Sequence, residues 1–336
     1  MKRRSLIFFG LALAVAALFL CNLYFGTVSI PAREVTALLT GRGSERSVWA
    51  NIILQSRLPQ TVTALLSGAS LAVCGLLLQT LFRNPLAGPS ILGITNGANL
   101  GVAVVMLWTG AAAQGWSDKL STVTAAFLGS LLILALLLYF SMKVKNNAMV
   151  LIIGIMVGYL ASSGISILNS FASADNVRAY VLWGMGTFAG VGNDMLPVYA
   201  VGTLAGLLAS LLLVKPLNAM LLGDRYAKNL GVDVRLLRTL ILIVTGFLTA
   251  MLTAFCGPVG FIGLASPHIA RIFIGTSNQK ILLPATLLMG AAIALFCNEL
   301  TSIPFGKGLL PLNAVTPLIG APVILYVIFS GRGVEE

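Results

Sequence analysis

Apolar residues run in long stretches along this chain, and polar residues collect in the gaps between them. Taking about 20 apolar residues as one membrane crossing, the pattern predicts ten: roughly 5–25, 60–80, 91–108, 119–140, 148–168, 194–214, 239–257, 259–275, 281–302 and 313–330. The eighth is short and framed by Pro258 and Pro267. A helix satisfies every backbone N–H and C=O within its own segment, so each crossing is expected to be helical. The expected fold class is all-α, a polytopic membrane protein with about ten transmembrane helices, and 1–336 reads as a single transmembrane domain. An even count puts both ends on one side.

One gap differs from the rest. Asn218–Arg238, NAMLLGDRYAKNLGVDVRLLR, holds Asp224, Arg225, Lys228, Asp233, Arg235 and Arg238, with Lys215 just ahead. Each such charge costs roughly 2.5–3.5 kcal/mol at the centre of a membrane helix, which forbids a crossing here. Leu222, Tyr226, Leu230, Val234 and Leu237 nevertheless recur at helical spacing, with Gly223 and Gly231 as breaks. The pattern predicts one or two short amphipathic helices outside the bilayer. Two gaps on the other side are also long: Gly26–Gln60, with an apparent short helix, and the aromatic and glycine-rich Asn169–Asn193. Both read as lids or docking surfaces.

Composition agrees with the membrane reading: 58% of residues are hydrophobic and 9% charged, against about 25% charged in a soluble domain. The net charge of +11 raises the question of nucleic acid, but the basic residues sit singly in short gaps between apolar runs. Membrane lipid, not nucleic acid, is the expected surroundings. One set of gaps holds fourteen Lys and Arg, including Arg83, Lys143 and the whole island; the opposite set holds seven, including Arg33, Arg57, Lys119, Arg178 and Lys307. The excess assigns both termini and the island to the cytoplasm. The start, MKRRSLIFFGLALAVAALFLC, imitates a lipoprotein signal, but Leu18, Phe19 and Leu20 precede Cys21 where a cleavage site wants small residues. It reads as an uncleaved first span. Cys21, Cys74, Cys256 and Cys297 lie in or beside apolar runs without a C-x-x-C pair, as packing residues.

Gly93, Gly97 and Gly101 recur every fourth residue, which places them on one helix face and lets a neighbour approach closely. Gly154 with Gly158 and Gly202 with Gly206 repeat the device, and Asn96 and Asn99 are expected to bond to adjacent helices. Pro317 and Pro322 predict an interrupted span ten, a candidate pore wall. Spans three and eight both open on a Gly-Pro pair, Gly88-Pro89 and Gly257-Pro258, a hint that spans two to five and seven to ten are an inverted repeat.

Much chemistry is missing. Nothing matches G-x-x-x-x-G-K-[ST], so ATP phosphates have no cradle here. The sole histidine, His268, cannot form a histidine-based metal cluster, and no metal site or catalytic residue is expected. An intramembrane hydrolase would have to rest on Ser163 and His268. An ion-coupled secondary transporter would have to rest on Glu299, the acidic residue clearly inside a span.

Four blocks in order carry a resemblance: RLPQTVTALLSGASLAVCGLLLQTLFRNPLAGPSILGITNGA (57–98), LLGDRYAKNLGV (221–232), GPVGFIGLASPHIARIFIG (257–275) and TPLIGAP (316–322). They resemble the iron-siderophore, haem and cobalamin ABC importer permeases, over nearly the whole chain after span one. The resemblance implies a type II ABC importer permease in a bacterial inner membrane, importing a metal chelate, working as a homodimer on two ATP-binding subunits that carry ATP and Mg, with no cofactor on this chain. It also implies a periplasmic or lipid-anchored substrate-binding protein docked opposite. In that likeness the coupling segment is 215–238, with Leu222, Gly223, Asp224, Arg225, Ala227, Lys228, Leu230 and Gly231 meeting the motor; the small Ala227 is expected to admit the motor surface. Spans five and ten line the path, through Met156, Tyr159, Pro317, Gly320 and Pro322. Relatives often carry R-L-P-R at the outer end of span two, where this chain has Arg57 but Gln60; Asn298, Ser302 and Leu309 likewise replace the charged pattern near span ten. Arg57 and Lys307 are the expected docking cations, with Arg178 a substitute. His268 and Arg271 match a P-H-x-x-R pattern, as a helix-contact residue and an interfacial anchor.

Overall fold

The computed structural model describes residues 2–41, 48–108, 116–144, 146–305 and 308–329. Ten apolar helices appear among them: Lys2–Tyr24, Val48–Phe82, Ile94–Trp108, Trp116–Lys143, Asn147–Phe171, Leu196–Leu212, Val234–Cys256, Ile262–Ile274, Gln279–Ser302 and Leu312–Phe329, taken in order as spans one to ten. A two-residue antiparallel pairing, Pro304 with Leu309 and Phe305 with Gly308, precedes span ten.

Span two is the axis of the bundle. It packs on spans one, six, seven, eight and nine, and nearly all of Leu58–Phe82 is buried, including Thr61, Thr63, Ser67 and Ser70. Hydrophobic all round, it behaves as a core helix. Small residues set the approach of its neighbours. A Cβ on Gly68 would stand 2.2 Å from the Gly290 carbonyl oxygen of span nine, and one on Gly75 only 1.7 Å from that of Gly263 in span eight. Buried polar atoms pair across spans: Ser67 meets the Tyr199 hydroxyl at 2.6 Å, and Asn96 Nδ2 donates to the Gly158 carbonyl at 3.2 Å.

Spans three and eight are short, and each starts from a left-handed residue. Gly93 (φ 75°) caps span three and Phe261 (φ 66°) caps span eight, each a few residues after its Gly-Pro pair. Span three packs on spans four and five as span eight packs on nine and ten, the arrangement expected of two related halves. Gly93 therefore does not share a helix face with Gly97 and Gly101. It stands outside the helix and abuts Gly154 and Gly158 of span five, while Gly97 and Gly101 abut Gly129 and Ala125 of span four.

Several expected boundaries move. Span two reaches back from 60 to Val48 through a π-turn at Ile53–Arg57. Its 35 residues make a rod of about 50 Å, longer than a hydrocarbon core of about 30 Å, so its first turns stand outside the bilayer. Span seven begins at Val234 rather than 239, taking the end of the island as its first turn. Span ten is continuous through Pro317 and Pro322, correcting the expected interruption. The Asn169–Asn193 gap contains a helix, Ala174–Gly184, capped by Ser173.

Candidate functional site

The island is a folded element. Span six bends by 49° into a further helix, Val214–Leu221, which buries Leu217 and Met220. Gly223, at φ 110°, then turns the chain into the short helix Asp224–Asn229. Gly231, at φ 82°, ends it. Such positive φ values favour glycine. Asp233 caps span seven, accepting from the N–H groups of Arg235 at 2.9 Å and Leu236 at 3.1 Å.

Side chains pin this element to the bundle. Asp224 accepts from Arg83 Nη2 at 2.6 Å, and Arg83 itself sits in the left-handed conformation that ends span two. Asn218 Oδ1 accepts from the Gln279 N–H at 2.8 Å, joining the island to the start of span nine. Ala227 is fully buried in the core cluster, correcting its expected place under a partner's surface. What remains outward is Leu222, Tyr226 and Leu230, each more than half exposed, with Arg225, Lys228 and Gly231 exposed beside them. Three large apolar side chains spaced by four residues among cations thus form an exposed apolar stripe.

Arg238 departs most from its expected place. Instead of facing water with the island, it is 4% exposed. Its Nη2 donates to the carbonyls of Ser141 at 2.6 Å and Val144 at 2.9 Å, and Nη1 donates to Asn147 Oδ1 at 3.2 Å. His268 Nε2 lies 2.8 Å from the Pro85 carbonyl, tying span eight to the turn after span two.

At the other end of span two, Arg57 is also buried. It donates to the carbonyls of Leu23 at 2.8 Å and Tyr24 at 2.9 Å, and to that of Val28. Its guanidinium clamps the chain leaving span one and is not presented outward, which corrects the expected docking role. Lys307 lies outside the described residues. Beside Arg57, Gln60 donates to Asn298 at 2.9 Å and Asn298 to Asn22 at 2.6 Å, an amide chain across spans two, nine and one. Gln60 and Asn298, which depart from the charged family pattern, thus pair with each other. Glu299 lines an adjoining cavity of about 510 Å³ with Tyr24, Ser29 and Ser302.

Of the expected path residues, Met156 and Tyr159 lie on the outward face of span five, and Pro322 is exposed on span ten beside Leu318, Leu325 and Tyr326. Pro317 is half-buried. Gly320 is buried, with a Cβ there 2.8 Å from that of Phe261, so it serves the contact with span eight rather than lining a path. The sequence offered no signal for the Arg83–Asp224 pair or the Asn218 joint, because their partners are 141 and 61 residues apart.

Comparisons with known proteins fit this arrangement. The chain is 34% identical over 325 residues, 97% of its length and 94% of the relative's, to the vitamin B12 import system permease protein BtuC of Klebsiella pneumoniae. It is 34% identical over 294 residues to the BtuC protein of Salmonella typhi, covering 87% of this chain and 86% of that one. Among solved structures, one described as an inward-facing conformation of a metal-chelate type ABC transporter superposes with a TM-score of 0.83 at 31% identity, covering 96% of this chain and 99% of that one. With the FecCD transport family profile matching residues 13–330, the island, the central span two and the paired half-helices are those of a polytopic membrane permease, and the chain belongs to the FecCD transport family.

Proposed function

We propose that this chain is the membrane subunit of an ABC importer that moves a metal chelate inward, two copies together, driven by two separate ATP-binding subunits. The observation that carries the reading is the island: a stripe of Leu222, Tyr226 and Leu230 with Arg225 and Lys228, held on a rigid base by the Arg83–Asp224 pair and the buried Ala227. An engine outside the membrane needs such a stiff handle, and a free loop would absorb its stroke. The island faces the cytoplasm, consistent with fourteen basic residues against seven. The exposed apolar faces of spans five and ten form the path at the contact between copies. On the opposite face a substrate-binding protein docks over the short helices Ala32–Leu39 and Ala174–Gly184.

Cobalamin is the first substrate to test, because the BtuC proteins named above import vitamin B12. Ferric siderophores and haem are the other arms of the same assay. The experiment is reconstitution of the chain in liposomes with and without its ATP-binding subunit and binding protein. ATP-dependent accumulation of one chelate supports the proposal. Accumulation by the isolated chain under an ion gradient overturns it in favour of a secondary transporter.

A further inference from the structure

Arg238 carries a charge into the bundle where only neutral groups receive it, and every group it holds belongs to a helix end. Span four ends at Lys143, and the carbonyls of its last turn have no partner within the helix. Arg238 Nη2 takes two at this end, those of Ser141 and Val144. Its Nη1 reaches Asn147, the first residue of span five, and Asn147 Nδ2 donates in turn to the Leu81 carbonyl in the last turn of span two at 3.1 Å. One guanidinium thus fixes the turn between spans four and five to span seven, and through Asn147 to span two. Arg238 itself lies one turn into the helix that follows the island directly, after the Asp233 cap.

We infer that Arg238 and Asn147 form the strut that carries displacement of the island into the inner end of span five. This rests on the importer reading, in which the island receives the stroke and span five walls the path. A planar fork suits the task, because it holds two carbonyls and an amide oxygen in one geometry, whereas lysine offers a single nitrogen on a flexible stem. Arg238 is a positioning residue: it touches neither solute nor motor.

The test uses the complete complex with its ATP-binding and substrate-binding subunits in liposomes, comparing wild type with Arg238→Lys and Asn147→Ala. Solute uptake and ATP hydrolysis are measured on the same vesicles, with thermal stability followed in detergent. The expected result is uptake per ATP hydrolysed reduced about tenfold, while hydrolysis stays near wild type and the melting temperature falls only by what the lost hydrogen bonds cost. A purely structural role would lower stability, hydrolysis and uptake together, and that outcome, or wild-type uptake per ATP in both variants, overturns the inference. Should Arg238→Lys fail to assemble, Asn147→Ala decides alone, since it removes the links to spans five and two and keeps the bonds to Ser141 and Val144. Failure of the importer reading looks different: the wild-type complex itself moves no solute with ATP, and the strut falls with it.

Discussion

Arg57 and Arg238 solve one problem at opposite faces of the molecule. Each donates to carbonyls at the C-terminal end of a membrane helix, span one for Arg57 and span four for Arg238. There the unpaired C=O groups and the negative end of the helix dipole favour a cation. Removing Arg57 leaves the carbonyls of Leu23, Tyr24 and Val28 without their donor. With hydrogen bonds to a charged group worth about 1.5–3 kcal/mol each, Arg57→Ala is expected to cost on the order of 3 kcal/mol. A melt in detergent checks this: a melting temperature within a degree of wild type would show that the clamp contributes nothing. Asp224 is a different case. Its bond to Arg83 is short, but the two side chains are 45% and 54% exposed, so the pair contributes only about 0–1 kcal/mol to stability. Asp224→Arg is therefore expected to leave expression and melting temperature intact and to abolish ATP-driven uptake, by turning the island on its base. Adding Arg83→Asp restores the pair with reversed polarity and is expected to recover part of the uptake. No recovery in the double variant would mean that Asp224 meets the motor directly.

At the scale of elements, spans were legible because about 20 apolar residues in a row have few alternatives, and even the half-length of span eight shows in the spacing of Pro258 and Pro267. Their ends were less so. Val234–Arg238 reads as part of a charged gap because it contains Arg235 and Arg238, yet Arg238 turns inward and the Asp233 cap starts span seven at Val234. The face on which a glycine works was half legible. Four-residue spacing placed Gly93, Gly97 and Gly101 together, but the left-handed turn at Gly93 breaks the helical register that argument assumes. The contact of spans two and eight allows a sharp test. Gly75 lies against the Gly263 backbone, which cannot yield as a side chain does, so Gly75→Ala must push the two helices apart. Overpacking of this kind costs about 1–3 kcal/mol. Gly10, in span one, has nothing within 4 Å of where a methyl group would stand, and Gly10→Ala is expected to be neutral. Folded yield after purification should separate the two; equal yields would show that spans two and eight have slack.

For the whole molecule, sidedness links charge count to mechanism. Arg83, at the end of span two, touches the island, while Arg57, 26 residues earlier, lies about 39 Å away along the helix. Span one approaches Arg57 with its C-terminal end, and span ten starts near the same cleft, so the start of span one and the end of span ten lie toward the island face. Charge counting assigns the island and both termini to the cytoplasm through the positive-inside preference, an expectation that labelling can test. It gave no access to the joints that make the island rigid, since those pair residues from distant parts of the chain. Cysteine labelling tests the orientation with little background, because Cys74, Cys256 and Cys297 are buried and Cys21 is half-buried. In a Cys21→Ser background, Leu222→Cys on the island and Val28→Cys beyond span one are both exposed positions. A membrane-impermeant maleimide applied to intact cells is expected to label Val28→Cys alone. Inside-out vesicles are expected to reverse the pattern. Labelling of Leu222→Cys from outside intact cells would put the island where no ATP-binding subunit can reach it, and a handle on that side could not be worked by hydrolysis in the cytoplasm.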